Sequence, residues 1–379
     1  MSAVLFTAFE PSGDAHAAPV IRALLARRPD LRVFAWGGPA MAEAGATVIE
    51  QTAGRAAMGL NAIGEAARIR RHIREIHRWS RTYRVLTHVP VDSPAANFPI
   101  CREMRKSGAR VVHLVAPQLW AWGPWRVRKL RRRTDCVLCL LPFEEQWFRE
   151  RGIPARFIGH PRLNRAIDED ALRDAAQTLP QGSSHVGIFP GSREHEIKAN
   201  LRLLVSVYTE LQGRYGGMAG VIGAATPELE ALIRRRIPVF PTGLHLVTAR
   251  SDVVIAWSDL ALTVSGTMSL DITRQRKPMV GVYKTSWPAF LGSKVLLRTP
   301  YRLLPNLIAG REIVPEFVPY AGGPMPIVIA AGPYLADSKN RAVQSQELAR
   351  VCQRYIGKKP AEEAAHWIEV VTEGGTVEA

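Results

Sequence analysis

Short apolar runs that end in small, polar turns recur along both halves of this 379-residue chain, and most of them lead into a helical pattern. The first half predicts strands at 3–9, 33–36, 85–91, 111–115, 135–141 and 155–158. The second half predicts strands at 186–189, 217–224, 244–247, 260–264 and 279–283. Strand and helix alternating at this spacing predict an α/β fold with parallel sheets. Two such halves of similar size predict two Rossmann-like domains that face a central cleft.

The polar stretch around 162–181 separates the two halves. We therefore expect an N-terminal Rossmann-like domain at 1–165 and a C-terminal one at 166–345. The remaining segment, 346–379, is expected to be helical and to pack back on the N-terminal domain. No fixed-period repeat and no low-complexity tract interrupts this organisation.

The chain carries an excess of positive charge, with 50 Lys and Arg against 34 Asp and Glu and a net charge of +16. This charge favours an anionic partner, whether a nucleic acid, a phosphorylated ligand or an acidic membrane surface. Apolar runs are all shorter than the ~18 residues that a membrane span needs. The N-terminus is typical of a first strand rather than a signal peptide, and four cysteines do not suggest a disulfide scaffold, so we expect a cytoplasmic protein.

Two turns in the second half are suited to binding anions. The strand at 186–189 ends in Pro190 and Gly191, and Ser192 then occupies the position expected for a helix N-cap. Backbone N–H groups at such a turn, together with the guanidinium of Arg193, can hold a phosphate. The alternative is an ordinary strand-to-helix turn with a surface arginine.

The second turn comprises Ser265, Gly266 and Thr267, with Ser265 expected to cap the next helix. Asp271 lies further along that helix, where a carboxylate could accept hydrogen bonds from ribose hydroxyls. Two such turns in one α/β domain predict a site for a nucleoside diphosphate. Neither turn matches a Walker A loop or a dinucleotide-binding fingerprint, so ATPase and dehydrogenase functions are not indicated.

Three acids lie where strands of the first half end: Glu10, Asp14 and Asp92. Loops at the carboxyl ends of parallel strands hold ligands in this fold class. Any of the three could act as a general base for a hydroxyl group. Asp14 has an alternative role as the cap of a helix that begins at Ala15.

Two segments combine apolar and basic residues. A helix predicted at 65–84 places Ile69, Ile73 and Trp79 on or beside one stripe, with arginines over much of the remaining surface. This pattern is typical of a helix at a membrane surface, and also of a domain helix with a solvated arginine face. The second segment holds three tryptophans followed by a basic helix, which suits a membrane interface, stacked bases or a packed loop. Its tryptophans are Trp120, Trp122 and Trp125.

Metal ligation is not indicated. Residues 168–170 (DED) resemble an Asp-x-Asp motif, but they open a helix, where acids favour the dipole. Cys136 and Cys139 lie three apart on an apolar strand, so they face opposite sides of it. We predict no metal site and no cofactor.

Taken in order, the turns and loops carry a set of short motifs. They are 10–14 (EPSGD), 37–39 (GGP) with Met41, 58–59 (MG), 120–122 (WAW), 141–144 (LPFE), 157–161 (FIGHP), 189–193 (FPGSR) with Glu196 and Lys198, 265–267 (SGT), 304–312 (LPNLIAGRE) and 314–317 (VPEF). In this order and over nearly the whole chain, they resemble the lipid-A-disaccharide synthases, which are bacterial glycosyltransferases of GT-B architecture.

The resemblance implies transfer of 2,3-diacylglucosamine from its UDP derivative to 2,3-diacylglucosamine 1-phosphate. It implies a β-1,6-linked disaccharide 1-phosphate and UDP as products, formed by a metal-independent, inverting displacement. The first domain would then face the acceptor and the membrane, and the second would bind the UDP-sugar. A homodimer is left open.

The resemblance also implies roles for individual residues. Asp92 would act on or orient the acceptor hydroxyl. The two turns described above would hold the diphosphate, and three further residues would line the nucleotide site: Asn306, Arg311 and Glu312. The basic helix near Ile69 and the tryptophan loop would sit on the cytoplasmic face of the inner membrane, as in a peripheral protein.

The chain departs from the family pattern at two places. The family's loop usually reads Asp-Ala-Pro-Asp-Phe-Asn, whereas Ala95 takes the place of the second acid here, and Asp271 stands where the family tends to carry Glu. Two alternatives stay open: another UDP-sugar glycosyltransferase or epimerase on the same fold, and a nucleic-acid-binding protein. The second lacks any recognisable nucleic-acid module.

Overall fold

A computed structural model describes residues 3–53, 62–121, 123–285 and 299–377, with backbone alone at 62, 63, 65 and 66. The motif at 58–59 and Trp122 lie outside the described residues. The chain divides into two compact units. The first unit comprises Met1–Asn164 and Gly357–Ala379, and the second comprises Arg165–Ile356. The C-terminal segment expected at 346–379 is therefore shared between the units, with the division after Ile356.

The described residues of the first unit form a seven-stranded sheet in the order β3-β2-β1-β4-β5-β6-β7, with parallel pairing throughout. Its strands are β1 Ala3–Thr7, β2 Arg32–Gly37, β3 Thr47–Gln51, β4 Val85–Pro90, β5 Arg110–Leu114, β6 Cys136–Cys139 and β7 Ala155–Phe157. Its helices up to residue 149 are α1 Pro11–Arg27, α2 Pro39–Glu43, α3 Ala62–Trp79, α4 Pro94–Lys106, α5 Val127–Arg131 and α6 Pro142–Arg149.

The described residues of the second unit form a six-stranded parallel sheet in the order β10-β9-β8-β11-β12-β13. Its strands are β8 His185–Phe189, β9 Ala219–Ala224, β10 Leu244–Thr248, β11 Leu260–Val264, β12 Met279–Lys284 and β13 Glu316–Tyr320. Its helices are α7 Glu169–Ala176, α8 Glu194–Tyr215, α9 Pro227–Arg236, α10 Ser251–Trp257, α11 Met268–Arg274, α12 Leu304–Ala309, α13 Met325–Ala336 and α14 Ser338–Gln353.

The last helix, α15 Pro360–Thr372, belongs to the first unit and packs on α1. Its buried residues, including Ile368 and Val371, join the same apolar cluster as α1. Ion pairs at the end of α1, Arg27 with Glu369 and Arg28 with Glu373, fix the contact at the surface.

Both sheets are covered on both faces, which explains why their central strands are apolar almost without interruption. In β1, Val4 and Phe6 enter the cluster formed with α1 and α15. Ala3 and Leu5 point to the opposite face and join a cluster with α3 and α4. Successive side chains of a strand alternate in this way, so an all-apolar strand needs helices on both sides.

The strand orders define where ligands are expected to bind. In the first unit the order reverses between β1 and β4, and in the second between β8 and β11. Doubly wound sheets bind ligands beyond the carboxyl ends of the strands at such a switch point. The loops that follow these four strands carry Glu10, Asp92, the turn at 190–193 and the turn at 265–267.

Candidate active site

At the switch point of the first unit, Asp92 and Glu10 lie on adjacent loops. The hydroxyl of Ser93 donates a hydrogen bond of 3.0 Å to Oε1 of Glu10. Asp92 and Ser93 both have left-handed backbones, with φ of 47° and 39°. Residues other than glycine adopt this conformation rarely, and it clusters at functional sites. Burial raises the pKa of the Asp92 carboxyl, the N–H of Ser93 lowers it, and the charge of Glu10 raises it further.

A buried polar network holds the backbone at Asp92. The side-chain amide of Asn97 donates to the carbonyls of Val91 and Asp92, at 3.1 and 2.9 Å. Its carbonyl oxygen accepts from the hydroxyl of Thr7, at 2.7 Å. Thr7 is also 2.8 Å from Nε2 of His88, whose pKa falls to about 3 because the ring is buried. Sequence reasoning did not single out Asn97, although a polar residue in the first turn of a buried helix was a usable signal.

Asp14 has a structural role that differs from the predicted cap. Helix α1 begins at Pro11, so Asp14 lies inside its first turn and does not cap a helix at Ala15. Its carboxylate accepts hydrogen bonds from the backbone N–H groups of Gly38, Ala40 and Met41, at 2.9, 3.0 and 3.1 Å. The buried carboxylate therefore anchors the start of α2, and a general-base role would compete with three hydrogen bonds.

The turn at 190–193 also differs from its prediction. Ser192 is not the N-cap of α8; Arg193 occupies that position. The Glu196 carboxylate accepts from the backbone N–H groups of Ser192 and Arg193, at 2.9 and 3.2 Å. Those two amides are therefore not free for an anion, because the loop's own acid takes them. The side chain of Arg193 is 55% exposed and its guanidinium lies 3.7 Å from Glu196, so it remains the cationic group of the turn.

The turn at 265–267 leaves open space around its glycine. Thr267, not Ser265, is the N-cap of α11, and no side chain caps that helix. Gly266 has a φ of 150°, and among the described residues other than its two chain neighbours no heavy atom lies within 4 Å of where a Cβ would stand. A ligand could therefore approach the backbone closely here. Asp271 is buried within α11.

The segment that follows α12 is held by two buried polar side chains. Asn306 has no exposed surface; its amide donates to the Val314 carbonyl and to Glu316, at 2.8 and 3.0 Å. Its oxygen accepts from the N–H groups of Ile313 and Val314, at 2.8 and 2.9 Å. Glu316 also accepts from the N–H of Leu303 at 2.9 Å, ahead of α12. Asn306 thus positions the loop. Glu316, which lies in the sequence motif at 314–317, is a second positioning residue whose role the sequence alone did not indicate.

Two predicted nucleotide-site residues lie on that loop. Arg311 is exposed and pairs with Glu347 of α14. Glu312 is also exposed. Burial raises the pKa of Tyr334, and the negative charge of Glu312 raises it further. The loop held by Asn306 therefore carries one residue of each charge at the surface of the second unit.

The apolar stripe of α3 is used within its own unit. Ile69, Ile73 and Trp79 are partly buried against the cluster of β1, β2 and α4. The Trp79 ring lies 4.9 Å from Phe34 and 5.2 Å from Trp36, measured between centroids. The helix ends at Trp79 and not at 84, and its exposed face is basic. This is the pattern of a domain helix with a solvated arginine face.

The tryptophan loop is divided between core and surface. Trp120 is 9% exposed, and its indole N–H donates to Glu144 at 3.0 Å. Burial raises the pKa of Glu144 to about 7. This packing excludes Trp120 from a membrane-contacting surface, because its one polar group and its ring face are both engaged. Trp125 is 68% exposed and stays available for such a contact.

The acids and thiols weighed as metal ligands have ordinary positions. Asp168 is the N-cap of α7 and accepts from the N–H of Ala171 at 3.0 Å. Cys136 and Cys139 are buried in β6. Among the described residues, Glu50, His72 and Glu75 are close enough together to share an ion. Arg71 lies 3.1 Å from Glu50 and 3.5 Å from Glu75, so it offsets one of their two negative charges.

None of the described helices combines the length and apolarity that crossing a membrane requires.

The first unit presents an acid with a raised pKa, Asp92, at its switch point. The second presents an exposed arginine and an open glycine turn at the equivalent place. An acid that can accept a proton and a cationic turn that can hold an anion are the two parts that transfer from a phosphorylated donor requires.

Comparisons with solved structures bear on the fold. Staphylococcus aureus MnaA, solved with UDP, matches 98% of this chain and 97% of its own, with a TM-score of 0.64 and 11% identity. The glycosyltransferase of kitacinnamycin matches 97% of this chain and 98% of its own, with a TM-score of 0.61 and 15% identity. At such low identities these likenesses bear on the fold alone, and they confirm the predicted GT-B class.

Comparisons of sequence bear on the family. The lipid-A-disaccharide synthase of Anaeromyxobacter sp. (strain K) is 32% identical over 352 residues, which cover 92% of each chain. The family model described as lipid-A-disaccharide synthetase matches residues 4–368. The match includes both switch points, with Asp92 and Arg193. The chain therefore belongs to the lipid-A-disaccharide synthetase family of glycosyltransferases.

Proposed function

We propose that this protein transfers 2,3-diacylglucosamine from UDP-2,3-diacylglucosamine to 2,3-diacylglucosamine 1-phosphate. The products are a β-1,6-linked disaccharide 1-phosphate and UDP. The family match over residues 4–368 is the observation that carries the proposal. Binding of UDP by a protein of the same fold supports the donor class.

On the acceptor side, Asp92 is the general base. Its carboxylate takes the proton of the acceptor 6-hydroxyl while that oxygen attacks the anomeric carbon of the donor sugar. A raised pKa makes the carboxylate a stronger base, and this direction suits proton removal near neutral pH. Glu10 orients the loop through Ser93, and Asn97 holds the backbone. Asp14 supports the adjacent loop through its three backbone contacts.

On the donor side, the bond between the anomeric carbon and the diphosphate breaks, and negative charge develops on the departing UDP. The Arg193 guanidinium and the Ser192 hydroxyl stabilise that charge together with the turn of Ser265, Gly266 and Thr267. Positive charge from the protein replaces the divalent ion that other sugar-nucleotide enzymes use, so the reaction is metal-independent.

The remaining donor-site residues act on the nucleoside. Asp271 accepts from the ribose, and Arg311 and Glu312 line the nucleotide from the loop that Asn306 holds. Glu196 fixes the turn so that Arg193 projects from a rigid base, since a preorganised donor costs less to align than a mobile one.

Both substrates are acylated, so the protein works as a peripheral enzyme on the cytoplasmic face of the inner membrane. The exposed basic face of α3 and the exposed ring of Trp125 support this placement. Arginines near an anionic leaflet add about 1 kcal/mol each to association.

The test is release of UDP by the purified full-length protein from the paired donor and acceptor, with and without EDTA. Release that requires the acceptor and does not change with EDTA supports the proposal. Release without acceptor, or a complete loss of release in EDTA, contradicts it. Conversion of the donor sugar to an epimer would instead favour an epimerase of the same fold.

A further inference from the structure

Three helices of the first unit, α3, α4 and α5, border a cleft of about 470 Å³. This volume lies within the range of small-molecule sites. Among the residues that line the cleft are five cations and one carboxylate. The cations are Arg74, Arg78, Arg102, Lys129 and Arg133, and the carboxylate is Glu103. None of the residues assigned above to the transfer reaction lines it. Ile73, Arg74 and Arg78 belong to α3, which is proposed to face the membrane.

The carboxylate does not neutralise this group of cations. Glu103 accepts from Nζ of Lys106 at 3.1 Å, so its charge is already balanced by a residue outside the lining. Among the described residues, none of the five cations forms an ion pair. Partial burial lowers the pKa of Lys129, and the charges of Arg133 and Arg126 lower it further. Cations held together without counter-charge repel one another, and a bound anion relieves that repulsion.

His77 also lines the cleft. Nε2 of His77 lies 3.1 Å from the guanidinium of Arg81, which can only donate, so Nε2 is the acceptor. In the neutral ring, Nδ1 therefore carries the proton. That atom is buried and has no hydrogen-bond partner among the described residues; the nearest acid, Glu103, is 3.7 Å away. Because this atom has almost no accessible surface, it is not a donor for a ligand in the cleft, and anion binding is assigned to the cations alone.

The cleft also has an apolar wall. Ile73 and Pro99 line it, and the methylene stems of the arginines and Lys129 add apolar surface. Lys129 itself lies over the ring of Phe98, with 5.6 Å from Nζ to the ring centroid. A purely inorganic anion would use the cations and leave this wall without a partner. A ligand with an anionic end and an apolar body would use both.

We infer that this cleft binds the phosphate headgroup of one anionic lipid, with the start of its acyl chains on the wall of Ile73 and Pro99. The inference adds a ligand site to the proposed membrane association and does not depend on the transfer reaction. Arginine forks give phosphate oxygens paired donors, which a diffuse basic surface does not.

The test compares two triple variants of the full-length protein by calorimetry. The cleft variant is Arg78→Gln, Arg102→Gln and Lys129→Gln. The matched control is Arg70→Gln, Arg84→Gln and Arg128→Gln, which removes the same charge from exposed positions outside the cleft. The probe is dihexanoyl phosphatidylglycerol below its critical micelle concentration, so no membrane surface is present. Glycerol 3-phosphate and inorganic phosphate are the acyl-free probes.

We expect the cleft variant to bind the short-chain lipid at least about tenfold more weakly than wild type, and the control to stay within about twofold. We also expect the lipid to bind more tightly than either acyl-free probe. Equal losses in the two variants would overturn the inference in favour of a diffuse charge effect. Equal affinity for inorganic phosphate would overturn the assignment to a lipid. UDP binding should be unchanged in both variants, so failure of this site is separable from failure of the proposed transfer function.

Discussion

Two loops at equivalent places in the two sheets each carry an acid, and the two acids have different environments. After β8, Glu196 is buried, and its carboxylate accepts hydrogen bonds from the N–H groups of Ser192 and Arg193. After β4, Asp92 lies on a left-handed backbone, with burial and Glu10 raising the pKa of its carboxyl. The first acid holds a loop in place, and the second has the raised pKa that the proposed general base requires. A position at a strand end therefore does not by itself make an acid a candidate general base. The hydrogen bonds that its carboxylate already accepts must also be considered.

The largest effect is expected for Asp92→Asn. Loss of a general base lowers kcat by about 100-fold to 10,000-fold. The native state raises the pKa of this carboxyl, so its ionised form costs folding free energy above that pKa; Asn removes this cost and tolerates the left-handed backbone. We therefore expect the unfolding midpoint at pH 7 to stay the same or rise. Turnover and thermal unfolding measure the two effects.

The matched control is Asp30→Asn, an exposed acid that bonds Arg28 at the surface of the same unit. It should leave kcat within about twofold. A fall in both kcat and the unfolding midpoint of Asp92→Asn would mean that Asp92 holds its loop as Glu196 does, and the contrast between the two loops would be lost.

The second effect concerns stability in the second unit. Asn306→Ala removes a fully buried amide that serves four hydrogen bonds, and it leaves the N–H groups of Ile313 and Val314 without their acceptor. We expect a loss of about 2–4 kcal/mol in the free energy of unfolding. Asn340→Ala is the control, because Asn340 is exposed and makes one bond to the Pro333 carbonyl. Denaturant titration showing equal small losses for both variants would contradict a positioning role for Asn306.

The third effect concerns the donor turn. Glu196→Ala frees the two amides that Glu196 accepts from and loosens the base of Arg193. We expect UDP to bind about tenfold more weakly, from a penalty of about 1–2 kcal/mol. Glu194→Ala removes an exposed acid from the start of α8, next to the turn and paired with Lys198, and should change UDP affinity little. Tighter UDP binding by Glu196→Ala would show instead that the freed amides are the better phosphate ligands.

The smallest effect is a shift in pH dependence. Glu10→Gln removes a negative charge that raises the pKa of Asp92, while Gln keeps an oxygen for the Ser93 hydroxyl. Because Asp92 acts in its ionised form, activity falls as the pH drops through its pKa. The acidic limb of kcat/KM should therefore move to lower pH in the variant. A limb that stays in place would show that Glu10 does not influence the group that titrates.

Sequence reasoning recovered the parts of this fold that depend on local pattern. Apolar strands followed by Pro, Gly or Ser gave eleven of the thirteen strands among the described residues, and strand ends gave the loops of Asp92 and Arg193. The pattern missed β3 and β13, which lie at the edges of their sheets and lack a buried apolar run. Prediction from sequence failed where the role of a side chain depends on a partner far away along the chain. Asp14 bonds N–H groups that lie 24–27 residues away, and Trp120 donates to Glu144. Periodicity also could not tell whether the stripe of α3 faced a membrane or its own sheet, since both partners are apolar.

Titration of UDP into Arg193→Ala and Asp92→Asn, side by side with wild type, tests most directly whether the two loops divide the work. A charge-assisted hydrogen bond to phosphate contributes about 1.5–3 kcal/mol. We predict that Arg193→Ala binds UDP about 10-fold to 100-fold more weakly, while Asp92→Asn stays within about twofold of wild type. Unchanged UDP affinity in Arg193→Ala, or a comparable loss in Asp92→Asn, would contradict separate roles for the two loops.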